Sequence, residues 1–188
     1  MPISYSVSIP LQNQWIKVFM AICEVKEVIN RRNQDIQQFI ESIITTLDCE
    51  SLKKWPIIKA YKSFYGTNPY MTPAESLYRM IQKNWDIPNI NTIVDIYNTY
   101  SVKSSLSLWA HDIDYITGNI RFDITTGEEY YVWLFKTEAE IIPQWEYACM
   151  DDEKVLCRMD IKQCDQTKIT KDTRKFILYV QWNKETSD

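Results

Sequence analysis

The chain has 188 residues, 45% of them hydrophobic and 13% aromatic, with a formal net charge of −4. This excludes a disordered or fibrous chain and fits one globular unit that buries roughly 70% of its unfolded surface. The acidic balance argues against indiscriminate nucleic-acid binding, which relies on dense positive surface. Five cysteines with no close CxxC pair, and a single histidine, supply neither a complete disulfide framework nor a zinc site. No uncharged apolar run reaches the roughly 18 residues of a membrane span. Residues 1–6 lack the basic start and apolar stretch of a signal peptide, so the expected compartment is the reducing cytoplasm.

In chain order, Ile3, Tyr5, Val7 and Ile9 alternate with serines at the period of a half-buried strand, which Pro10 ends. Trp15 to Val25, centred on an apolar run, reads as a strand covered on both faces. Ile36, Phe39, Ile40, Ile43, Ile44 and Leu47 then repeat at helical spacing. A second helix starts at Pro56, carries Ile57, Ile58, Tyr61, Phe64 and Tyr65 on one stripe, and closes at Gly66. Thr72-Pro73-Ala74-Glu75 combines an N-cap, a first-turn proline and a capping-box glutamate. A fourth helix starts near Asn91 and is expected to bury Ile93, Val94, Ile96, Tyr97 and Tyr100.

After Ser105 the period changes. Residues 120–124, 129–135, 155–157 and 176–180 read as strands, with turns at Gly118-Asn119 and Thr126-Gly127-Glu128. Helices before residue 105 and strands after it predict an α+β fold, without internal repeat or low-complexity linker. Charge is uneven: residues 51–83 carry six basic groups against Glu75 alone, whereas residues 112–153 carry eleven acids against two bases. Lys53, Lys54, Lys59 and Lys62 are therefore candidates to meet an RNA backbone, or simply a solvated helix face.

Several residues can carry chemistry. Asn91 and Asn98 have amides able to read an amino acid's polar ends, although Asn91 as an N-cap and Asp95 as a first-turn acid also account for their positions. His111 stands beside Asp112 and Asp114; it can serve a nucleophilic pair with Cys157 or Cys164, or fill a structural role. Tyr130, Tyr131, Trp133, Trp145 and Trp182 can stack bases or cover a sheet.

The segments Trp55–Lys62, Thr72-Pro73-Ala74-Glu75, Ile90-Asn91 with Val94-Asp95 and Asn98, Asp112-Ile113-Asp114, Val155–Arg158, and Thr167-Lys168-Ile169-Thr170 with Thr173 resemble, in order and spacing, a known family. It is the B3/B4 editing module of the phenylalanyl-tRNA synthetase β subunit, in its free-standing form. The resemblance implies a single domain over residues 1–188, with N-terminal strands and a helix over 1–50 and the core over 51–188. It implies tRNA or aminoacyl-tRNA as partner, with trans-acting ester hydrolysis left open, no aminoacylating activity of its own, and neither cofactor, metal nor membrane. The alternative is a non-catalytic binder of a small amino-acid-like molecule. Thr167, Lys168 and Thr170 fall in the family's loop, and Arg158 is a candidate phosphate or carboxylate clamp. Trp109 stands where the synthetase module has a pocket histidine; Gln163, Cys164, Leu134 and Trp145 stand where relatives have glycine, which implies a narrowed pocket. Thr170 can equally be the cap of a short helix partnered by Thr173.

Overall fold

The computed structural model describes residues 3–47, 56–65 and 69–186. Among the described residues all the α-helices precede residue 105: α1 (Ile9–Asn13), α2 (Gln34–Ile44), α3 (Pro56–Phe64), α4 (Pro73–Asn84) and α5 (Thr92–Ser104), and only a 3-10 turn, Ile113–Tyr115, follows. Two strands come early, β1 (Tyr5–Val7) and β2 (Lys17–Glu24). The rest follow α5: β3 (Ser107–Asp112), β4 (Ile120–Ile124), β5 (Tyr130–Val132), β6 (Ala139–Ile141), β7 (Tyr147–Met150), β8 (Val155–Arg158), β9 (Lys162–Gln163) and β10 (Lys175–Trp182). The fold is α+β. Lys53, Lys54 and Gly66 lie outside the described residues.

One sheet has the order β1-β4-β7-β8-β9, antiparallel except for the parallel β1–β4 pair. A second places β10 between β2 and β3, antiparallel to both. β5 and β6 form a separate ribbon. Between the two larger sheets sit Leu11, Ile16, Phe122, Tyr147, Leu156, Ile177 and Tyr179. Val94 and Tyr97 pack α5 on Ala110 of β3 and Phe176 of β10. Ile40, Ile43, Ile58, Leu77, Ile81 and Val102 join the helices. Each fully buried aliphatic side chain of this kind contributes about 1.5–3 kcal/mol.

The caps form as their sequence implies. Thr72 Oγ1 accepts from Glu75 N at 3.2 Å, and Glu75 Oε2 accepts from Thr72 N at 2.9 Å. Asn91 Oδ1 accepts from Val94 N at 3.0 Å. Among the described residues no helix is long and apolar enough to cross a membrane.

The structure corrects five expectations. The first strand stops at Val7, because Ser8 and Pro10 start α1 and Ile9 enters that helix. β2 is an edge strand with Phe19 and Ile22 exposed, so it is not covered on both faces. On α5, Ile96 and Tyr100 are exposed, while Asp95, Thr99 and Ser101 are buried. The cause lies 63 residues away: Arg32 Nε bonds Asp95 Oδ2 at 2.8 Å, and the same guanidinium holds Asp86 and the Ile87 carbonyl. The strand expected over 129–135 ends at Val132, where a turn begins. Finally, Thr170 starts a turn and no helix: Thr170 N donates to Thr173 Oγ1 at 2.9 Å, and Asp172 N donates to Thr170 Oγ1 at 3.2 Å.

Candidate functional site

A cavity of about 800 Å³ opens between the helical half and the strand half of the chain. Its walls come from several separate stretches, among them Asn30 after β2. The capped start of α4 brings Met71, Leu77 and Met80, and α5 brings Val94, Tyr97 and Asn98. β3 gives Trp109, the turn after β5 gives Trp133, Leu134 and Phe135, β9 gives Lys162 and Gln163, and the loop before β10 gives Lys168 to Lys171. The lining is mostly apolar with a few polar groups, the usual make-up of a small-molecule or ligand-end pocket.

Neighbouring chain locks this geometry. Leu134 N donates to Gln163 O at 3.0 Å and Asp165 N to Val132 O at 2.8 Å, which ties the turn after β5 to the segment after β9. Asn91 Nδ2 donates to Ile169 O at 3.3 Å, so the residue that caps α5 also holds the loop. Gln163 Nε2 donates to Ala110 O at 2.8 Å.

The polar groups on the wall fall into two kinds. Asn91 and Gln163 are engaged by these bonds, and Lys168 Nζ lies 2.7 Å from Asp165 Oδ2. Burial raises the Asp165 carboxyl, but the Lys168 hydrogen bond and the Phe135 N–H outweigh it and hold it below its ordinary value. In contrast, the Asn98 amide has no hydrogen-bond partner among the described residues, and Trp109 Nε1 is buried without one. Lys162 Nζ has no carboxylate partner there; it sits 4.4 Å from the Trp133 ring centroid and 4.9 Å from that of Tyr70, whose hydroxyl accepts from it at 3.3 Å. An ammonium held over two ring faces keeps its charge free for an anion.

Of the candidate residues, Asn91, Asn98, Trp109, Lys168 and Thr170 stand on this wall. The structure places His111, Thr167 and Arg158 elsewhere. His111 and Thr167 are fully buried and face each other, with Nδ1 2.8 Å from Thr167 Oγ1, and the imidazole stacks on Tyr179. Burial lowers the His111 pKa to about 3, against the pull of Asp151, so the ring is neutral at physiological pH. Arg158 is taken up by a bidentate pair with Glu146 at 2.5 and 2.7 Å, whose hydrogen bonds hold the guanidinium charged. Cys157 and Cys164 are buried in the core, and burial pushes the Cys157 thiol up. Lys59 is exposed on α3, and Lys62 pairs with Glu75 at 2.7 Å. Among the described residues, no three His, Cys, Asp or Glu side chains gather as metal ligands.

Leu134 and Gln163, two bulky replacements expected to narrow the pocket, do form wall, yet the cavity stays open; Trp145 is exposed and Cys164 buried, both off the wall. Sequence reasoning missed Tyr70, Met71, Lys162 and Phe135. The one signal for Phe135 was its place at the end of an aromatic run; nothing near Lys162 marked it.

The fold around this cavity is a known one. An N-terminal fragment of the phenylalanyl-tRNA synthetase beta-subunit from Pyrococcus horikoshii shares the fold, with a TM-score of 0.51 at 12% identity over 97% of this chain. The chain spans 44% of that fragment. No curated protein matches the chain by sequence. The family model described as "B3/4 domain" matches residues 59–187, and on that match the chain belongs to the B3/4 domain family.

Proposed function

We propose that the cavity receives the aminoacyl group at the end of a charged tRNA, so that the chain is a free-standing aminoacyl-tRNA-binding module. One observation carries this reading: an apolar chamber large enough for a side chain lies beside three lysines, Lys162, Lys168 and Lys171, of which Lys168 is paired with Asp165. The chamber takes the amino-acid side chain by burial, and the cations meet the phosphates that follow it. Asn98 offers an amide to the amino acid's polar end. Lys59, exposed on α3, is a further cation for the RNA backbone.

Ester hydrolysis in this cavity would rely on a positioned water and on donors aimed at the oxyanion. Thr170 Oγ1, which accepts from Asp172 N and keeps its own proton to donate, and the Asn98 amide are the available groups. The single histidine is off the wall. We further infer that residues 1–188 act as one domain, because β2 pairs with β10 along its whole length and Arg32 joins Asp95. Such a protein would work in the cytoplasm, where charged tRNA is used.

The test is paired affinity measurement with aminoacylated and uncharged tRNA, run with a deacylation time course. Tighter binding of the charged form, weakened about ten-fold or more by Asn98→Ala with Lys162→Met, supports the reading. Faster loss of the amino acid would add hydrolysis. A second reading, a free amino-acid-like ligand, is favoured by the pairing of Lys62 with Glu75 and Lys168 with Asp165, which trims the free positive surface. Indifference to both tRNAs, with thermal stabilisation by a free amino acid, would select it.

A further inference from the structure

Phe135 is the most exposed large apolar side chain of the described residues, at 82%, yet it belongs to the wall of the cavity. Its backbone is left-handed, with φ 64°, a conformation that L side chains other than Asn and Asp adopt rarely. The turn that holds it is closed by Lys136 N donating to Trp133 O at 2.8 Å. Asp165 fixes it from the other side: Phe135 N donates to Asp165 Oδ1 at 2.8 Å.

The same carboxylate holds Lys168. Its Nζ lies 2.7 Å from both Asp165 oxygens and 5.8 Å from the centroid of the Phe135 ring. One acid thus sets a bare aromatic face and an ammonium side by side at the cavity. Lys171, exposed on the same wall, and Lys162 are without acidic partners among the described residues. The exposed Trp15, Trp85 and Trp145 also have left-handed backbone; Phe135 differs in standing on the cavity wall, pinned there by Asp165 beside Lys168.

We infer that Phe135 is a stacking platform for the terminal base of the RNA, with Lys171 and Lys162 meeting the adjoining phosphates. This rests on the aminoacyl-tRNA reading above. A flat apolar ring flanked by cations matches a nucleotide, which joins a π-face to an anion, better than it matches an aliphatic peptide. Stacking there would set the ester-linked end at the mouth, with the amino-acid side chain inside. The ring tolerates any base, so the platform adds affinity and position without sequence preference.

The test uses the full chain and two probes: a labelled single-stranded RNA ending in a 3′ adenosine, and the same RNA with an abasic 3′ end. The wild type is expected to prefer the intact RNA. Phe135→Ala should lose about ten-fold on the intact RNA and nothing on the abasic one, while Phe135→Trp keeps the preference. Because the ring buries little, Phe135→Ala should melt at the wild-type temperature, which separates lost stacking from lost fold. Undiminished binding of intact RNA by Phe135→Ala, or equal binding of both RNAs by the wild type, overturns the platform and leaves the aminoacyl-tRNA reading standing. Failure of the wild type to bind either RNA or charged tRNA overturns both.

Discussion

Two polar regions lie a few residues apart along the same elements, and they differ in how their charged and polar groups are held. Behind the cavity wall, buried charges are paired, although His111 Nε2 and the Ser101 hydroxyl stay unpartnered among the described residues. Arg32 joins Asp95, Thr173 Oγ1 donates to Asp112 Oδ2 at 2.6 Å, and His111 meets Thr167. Asp160 sits among Tyr61, Tyr147, Tyr179 and Gln181; Tyr147 OH donates to the Gln181 side chain, whose amide nitrogen, turned toward Asp160, lies 2.8 Å from its Oδ2. On the wall itself, the Asn98 amide and the buried Trp109 Nε1 have no hydrogen-bond partner among the described residues, and the Lys162 ammonium lies over ring faces. The difference teaches how to separate folding from binding here. Changes behind the wall should register as stability, and changes on it as affinity.

The sharpest way to break this contrast is Arg32→Ala. It strands Asp95, which has no exposure of its own, and removing one partner of a buried pair costs about 3–5 kcal/mol. Denaturant titration should show that loss; a shift within experimental error would mean that α5 is held by packing alone.

Next in size is pH. Burial raises the Asp160 pKa from 3.8 to about 7, against the pull of the Ser107 and Tyr179 hydroxyls. A folded-state value above the unfolded one means that its stabilisation is full below pH 3.8 and is lost as pH rises through 7. His111 works in the other direction. Its folded value of about 3 lies below the unfolded 6.5, so its stabilisation is full above 6.5 and is lost as pH falls toward 3. The two windows overlap and oppose each other between pH 3.8 and 6.5, so stability should be nearly flat there and fall only outside that range. Asp160→Asn removes the opposing half, so its stability should climb by a few kcal/mol from pH 3.8 to 6.5 in melts taken across pH. A profile as flat as the wild type's in that variant would remove Asp160 from the account.

Thr167→Val should cost about 1–2 kcal/mol, by leaving His111 Nδ1 unpartnered, with no change in affinity for charged tRNA. Smallest of all in stability, Asn98→Ala and Lys162→Met should each stay within about 0.5 kcal/mol of wild type while weakening the ligand. If either unfolds the protein, the wall is not a separate region.

What the sequence made legible follows the same divide. Caps are local, so Thr72 with Glu75 and the Asn91 start of α5 could be read directly. The α5 stripe could not. A buried aspartate in its first turn is tolerable only because Arg32 arrives from another part of the chain, and that partner has no local trace. β3 was missed for a related reason: Ser107, His111 and Asp112 are polar yet buried, so the strand lacks the apolar alternation that marks β4. At the cavity, single positions such as Asn98, Lys168 and Thr170 were visible as residue types, whereas their meeting with Tyr70, Lys162 and Phe135 depends on how distant stretches fold together.

The place of β10 bears on how the molecule comes to exist at all. This strand follows every other element in the chain, yet it is the central member of its sheet, pairing Lys175 with Glu24 at one end and Trp182 with Lys17 at the other. During synthesis β2 therefore waits for a partner more than a hundred residues downstream, with Phe19 and Ile22 on its surface the whole time. Closure over such separations is slow because the loop entropy is lost before the pairing gains anything. The loop that finishes the cavity would take its shape only when β10 docks.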